Sequence, residues 1–236
     1  VSFYDSFPHE YSMQGIGDFR ESSIRVKDKN GHSQVKLEYK SHEIYKGKLE
    51  PRNLPRTFGE EDECTSLEIT CIDTFLNLVL VYTVFENLDA ITRSVRIKNL
   101  SEDSIKLTKV LSSCVQLEGT DLDMISLHGA WARERFVQRK HVGIGKNKVE
   151  SIRGETSHQD HPFIAVLDKN ATEDHGNVYG FNLVYSGNFM AQVEGCQYDT
   201  TRVVMGMSPE DFEWNLKQNE EFIAPEVVMV YSNEGL

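Results

Sequence analysis

The segment MQGIGDFRESSI holds Gly15, Gly17, Asp18, Phe19 and Arg20 in close succession. An acid, an aromatic ring and a guanidinium side by side are the groups a sugar site commonly uses. The plainer alternative is a buried Asp18–Arg20 interaction that only shapes its loop. A second candidate is LHGAWARER, where Trp131 is flanked by Arg133 and Arg135. Its indole could stack on a sugar ring or sit at a domain interface; equally, this could be a strand whose arginines pair with surface acids.

Other chemistry-bearing residues read more simply. His158, Asp160 and His161 fall within ETSHQDHPF, but a metal site needs a third ligand at defined geometry and a fixed second shell. No further ligand sits nearby with recognisable spacing, so a polar turn before a strand is the better reading. The acidic run Glu60-Glu61-Asp62-Glu63 reads as a solvated loop. YGFNLVYSGNF, around Gly180 and Gly187, reads as core and hairpin rather than ligand contact. There is no GxSxG, no locally supported Cys-His pair and no phosphate-cradling glycine loop. Nor does any pair of acids stand out for glycoside hydrolysis, which needs two carboxyl groups placed across the scissile bond. No catalytic residue and no metal site is assigned.

The elements that must position these groups are strands. Leu67, Ile69 and Cys71 alternate with Glu68 and Thr70, and similar alternation runs through Ile91–Lys98, Ile105–Leu111 and Phe212–Lys217. Each describes a strand with one buried and one wet face. Leu76–Phe85 is apolar on both faces, so it must be covered on both sides, as in the middle of a large sandwich. Turn signals at Lys29-Asn30-Gly31, Asn87-Leu88-Asp89, Asn99-Leu100-Ser101, Ser186-Gly187-Asn188 and Gln218-Asn219-Glu220 punctuate the pattern. Pro51 and Pro55 bracket a long connection from Lys46 to Glu63. The expected fold is all-β: a large antiparallel two-sheet sandwich forming one domain over residues 1–236.

Charge and length limit the partners. With 37 acids against 25 bases the net charge is −12, which argues against nucleic acid and anionic membrane surfaces. No apolar run approaches the ~20 residues that span a bilayer, and no signal peptide is visible. Cys64, Cys71, Cys114 and Cys196 lack CxxC spacing, and free buried thiols fit a reducing cytoplasm. The chain begins at Val1 and reads as a piece of something longer.

Taken in order, the segments GDFR, SHEIYKGK (Ser41–Lys48), ITRSVRIKN (Ile91–Asn99), LHGAWARER, SHQDHPF, TEDHGNVYGFNLVYSGNF (Thr172–Phe189), TTRV (Thr200–Val203) and PEVVMVYSNEGL (Pro225–Leu236) resemble the N-terminal β domain of bacterial family 36 α-galactosidases. That resemblance implies a galactose-mutarotase-like supersandwich preceding a catalytic (β/α)₈ barrel absent from this chain. The barrel would carry two aspartates and remove terminal α-galactose from raffinose-type sugars with retention, without a cofactor. It also implies a homotetramer, with the GDFR loop lent to a neighbouring subunit's barrel. Asp18 would then accept from sugar hydroxyls, Phe19 would wall the pocket, and Arg20 would orient Asp18 or a second hydroxyl. Gly15 and Gly17 would allow backbone conformations closed to other residues. The chain alone is expected to be inactive. The competing expectations are a free-standing carbohydrate-binding module and a mutarotase-like epimerase, the latter needing a buried His facing a carboxylate.

Overall fold

The computed structural model describes residues 6–48 and 53–236; Pro51 lies outside them. In chain order the strands are β1 (Ile24–Lys27), β2 (Glu38–Lys46), β3 (Cys64–Ile72), β4 (Leu76–Phe85), β5 (Ala90–Asn99), β6 (Ile105–Glu118), β7 (Leu122–Ala130) and β8 (Arg133–His141). They continue as β9 (Gly145–Ser151), β10 (Asp160–Asp168), β11 (Val178–Val184), β12 (Phe189–Cys196), β13 (Thr200–Met207), β14 (Trp214–Leu216), β15 (Glu221–Ile223) and β16 (Glu226–Ser232). A ten-stranded antiparallel sheet runs β2-β3-β4-β5-β16-β11-β10-β7-β8, with β15 added to β5. A six-stranded sheet runs β1-β6-β13-β12-β9, with β14 added to β6.

The alternating residues meet between these sheets. Leu76, Leu78 and Leu80 of β4, with Val95 and Ile97 of β5, pack on Ile105, Leu107 and Leu111 of β6. Further along, Ile164 and Val166 of β10 and Phe181 of β11 pack on Val193 of β12 and Val203 and Met205 of β13. Each such side chain contributes roughly 1.5–3 kcal/mol by leaving water. The expected large antiparallel sandwich is therefore the fold.

The doubly apolar strand takes a different place from the one expected. It is β4, third from the sheet edge rather than central. Its inner face meets the other sheet, while Phe85 on its outer face is covered by the loop before β3: a Cβ on Gly59 would lie 2.9 Å from the Phe85 ring and 2.7 Å from Cys64 Sγ. The acidic run closes that loop as an exposed turn, with Glu63 N–H donating to Glu60 O at 3.1 Å.

A second correction concerns YGFNLVYSGNF. β11 belongs to the large sheet and β12 to the small one, so Ser186–Asn188 is an arch between sheets and not a hairpin turn. The residues alternate because each strand faces the shared core, and alternation does not say which sheet a strand joins. At the far edge, β8 is exposed along its whole length.

Candidate functional site

The GDFR loop stands on the small sheet. Its base is closed by Ser12 and Ser23, whose hydroxyls lie 2.8 Å apart and whose backbones bond at 2.9 Å. Beside it, buried Tyr11 donates its hydroxyl to Leu111 O at 2.8 Å. Gly15 and Gly17 have φ of 88° and 86°, the left-handed region that favours glycine. The chain is thereby folded back so that Asp18 points into the sheet and Phe19 points away.

Asp18 has no exposed side-chain surface. Its Oδ1 accepts from Arg20 N at 3.0 Å and Arg20 Nε at 2.9 Å. Oδ2 accepts from Arg202 Nη2, on β13, at 2.6 Å and from Arg20 Nη2 at 3.3 Å. Swung to satisfy its neighbours, the Gln116 amide oxygen accepts from Arg20 Nη1 at 2.8 Å and Arg202 Nε at 3.0 Å. Burial alone would raise the Asp18 carboxyl, but hydrogen bonds from Arg20 and Arg202 hold it below the ordinary carboxylate range. The expected role of Asp18 as an acceptor for sugar hydroxyls is thus not available in this geometry, because its own arginines occupy both oxygens. The buried Asp18–Arg20 interaction is what the chain forms. Phe19, 82% exposed, is the member of the trio that faces solvent.

Glu21 extends the anchor. It accepts from Lys109 Nζ and, at 2.7 Å, from Lys146 Nζ, while its backbone N–H donates to Glu194 Oε2 at 2.8 Å. Burial opposes ionisation, yet Lys109 and then Lys146 outweigh it and bring the Glu21 carboxyl down to about 2. Lys109 is itself held below its ordinary value by burial, in spite of Glu21.

Trp131 sits at the other end of the molecule's candidate list, in the two-residue turn joining β7 and β8, and is 80% exposed. Ala132 beside it has φ 62°. Neither Arg133 nor Arg135 forms an ion pair among the described residues, so the strand reading that paired them with acids does not hold. Arg139 does the pinning instead, donating to Asp123 Oδ2 at 2.6 Å and to Ala171 O at 2.7 Å. Behind the turn the β7–β10 ladder breaks between Asp160 and Ile164. Side chains bridge the gap: Ser126 Oγ lies 2.8 Å from His128 Nε2, and His128 Nδ1 lies 2.9 Å from Asp160 Oδ1. This order resembles a nucleophile relay, but Ser126 is 1% exposed, so it serves as a strut rather than as attacking machinery. Among the described residues no three His, Cys, Asp or Glu side chains converge as a metal would require.

The partners Arg202, Glu194 and His128–Asp160 were not found from sequence. Arg202 lies 184 residues from Asp18, and no local spacing links them. TTRV is visible as a segment, but its arginine has no nearby acid in sequence to mark it as a partner.

Known proteins agree with the geometry. The family model described as Glycosyl hydrolase family 36 N-terminal domain matches residues 1–217. Alpha-galactosidase AgaA of Geobacillus stearothermophilus is 46% identical over 98% of this chain, which spans 32% of that protein. Alpha-galactosidase Mel36A of Lactobacillus acidophilus is 40% identical, again with 98% of this chain covering 32% of the relative. Among solved structures, alpha-galactosidase AgaB of Geobacillus stearothermophilus superposes with a TM-score of 0.96 at 46% identity, over 98% of this chain and 32% of its own. The chain thus spans about a third of the length of the relatives it matches.

Proposed function

The chain belongs to the N-terminal domain family of glycosyl hydrolase family 36, and from that premise we propose that it is the non-catalytic domain of a retaining α-galactosidase. In this reading the parent hydrolyses terminal α-galactosyl residues of raffinose-type oligosaccharides on a catalytic barrel that this chain does not include. The chain supports that barrel and the parent's oligomer, a homotetramer. Solved structures of AgaA variants in complex with raffinose and with stachyose support the substrate class. The four cysteines, none in a disulfide, fit a cytoplasmic enzyme.

The observation that carries the domain's part is that Phe19 and Trp131, 82% and 80% exposed, each ride on a turn tied down from beneath. Large apolar rings held rigidly in solvent mark a contact surface. Asp18 and Arg20 then act through Phe19 by fixing its loop, and the ring walls a sugar pocket completed by a barrel, in a neighbouring subunit. Trp131 stacks on a sugar ring. Kinetics of the parent enzyme test this: F19A and W131A should raise KM for raffinose, and unchanged KM values in both would refute it. The epimerase alternative is not favoured, since His128 faces a carboxylate but has both ring nitrogens engaged. A free-standing carbohydrate-binding module remains the second reading because Trp131 is exposed; it requires that the isolated chain bind galactose in calorimetry.

A further inference from the structure

A groove of about 510 Å³ opens behind the Trp131 turn, between the start of β8 and the segment that leads into β10. Glu134 and Arg135 form one wall, and Ser157, His158 and His161 form the other. These groups are unlike the rest of the charged surface, where acids and bases are mostly paired. Glu134, Arg135 and His158 make no hydrogen bond or ion pair among the described residues. His161 Nε2 is inaccessible and has no partner. Arg135 holds its guanidinium there from a backbone with φ 61°, a conformation that costs a non-glycine residue energy and collects at functional positions.

We propose that this groove is a subsite for the sugar rings beyond the terminal galactose, so that it sets the parent enzyme's preference for oligosaccharides over short galactosides. The inference rests on the α-galactosidase reading and on Trp131 contacting substrate. The volume is in the range of small-ligand sites. The chemistry suits a neutral polyol. A carboxylate acceptor, a five-donor guanidinium, a hydroxyl and two imidazoles match vicinal hydroxyls, each of which both donates and accepts. Glu134 and Arg135 cancel in charge, so the groove does not select an anion. Burial, then Arg135, pushes the His161 imidazole below its ordinary value, leaving it uncharged at neutral pH. Its floor is firm, because the Ser126–His128–Asp160 strut lies under the same hairpin. Trp131 stands three residues before Glu134, so a chain of sugar rings stacked on the indole continues into the groove.

The test uses the full-length parent enzyme and two substrates, raffinose and nitrophenyl α-galactoside, whose aryl group follows a single sugar. R135G removes the guanidinium while suiting the backbone at that turn, and H158Q removes the imidazole. Each should raise KM for raffinose about tenfold, the equivalent of one hydrogen bond of about 1.4 kcal/mol, with a much smaller rise for the nitrophenyl substrate. Equal effects on both substrates, or none on either, overturn the proposal. W131A separates the two layers. If W131A raises KM for both substrates while R135G and H158Q raise neither, Trp131 is a substrate contact and the groove is not. If R135G and H158Q act on raffinose and W131A does not, the groove stands and the Trp131 contact falls. Should R135G instead abolish inhibition by inorganic phosphate without touching either KM, the groove is an anion site and the proposal fails.

Discussion

Arg202 reaches Asp18 at 2.6 Å, and neither side chain has any surface exposed to solvent. With Arg20 on the other oxygen, the carboxylate holds two guanidiniums away from water. Removing it leaves both uncompensated, and breaking a buried pair costs about 3–5 kcal/mol. D18A should therefore lower the urea midpoint of this chain strongly. A loss under about 1 kcal/mol would mean that the pair is not buried in solution and that Asp18 is available to a ligand.

Phe19 should behave in the opposite way. Its ring is exposed, and surface substitutions away from caps and cores change stability by less than about 0.5 kcal/mol. F19A is expected to unfold with the unchanged midpoint while KM of the parent for raffinose rises. Comparing the urea midpoint with KM separates the two effects; a destabilised F19A with normal KM would place the ring in the fold rather than at a ligand.

The pH dependence follows from Glu21. Its carboxyl is held at about 2 in the fold, against an ordinary value near 4.5. A lowered value means that the stabilisation is fully present above about 4.5 and is lost as pH falls towards about 2. The full span corresponds to roughly 3 kcal/mol. Unfolding free energy measured across that window should fall, and E21Q should flatten this part of the curve. An identical slope in E21Q would show that other carboxylates carry the acid sensitivity.

The Trp131 turn has a backbone requirement of its own. A Cβ on Gly129 would lie 2.2 Å from Arg133 O and 2.8 Å from Glu134 Cα, and neither backbone atom can swing aside. G129A should cost about 1–3 kcal/mol, the usual range for forced overpacking, and change the fluorescence of Trp131 in a W214F background. A native midpoint and spectrum would mean that the turn is more open than described.

The strands are legible in the sequence because the sandwich has one dry interior, so alternation survives tertiary packing. Leu76–Phe85 is bounded to the residue, since Leu78 and Val79 are both apolar and both buried. Legibility fails where the partner is distant or indifferent. β8 is exposed throughout, so nothing in RERFVQRKH distinguishes an edge strand from a loop. The Ser186–Asn188 turn looks like a hairpin because the rule for turns is local, whereas the choice of sheet is not. GDFR stands out as a cluster, and the sequence leads one to expect that D18A would harm raffinose turnover more than stability. Arg202, brought from β13, reverses that order, because a third charge turns Asp18 inward and leaves the solvent face to Phe19.

The most direct test of the central claim, that this chain is a supporting domain and the chemistry lies elsewhere in its parent, is hydrolysis of nitrophenyl α-galactoside by the purified chain and by the full-length protein side by side. The account predicts release of nitrophenol by the full-length protein and none by the chain alone. Measurable turnover by the chain alone would contradict it.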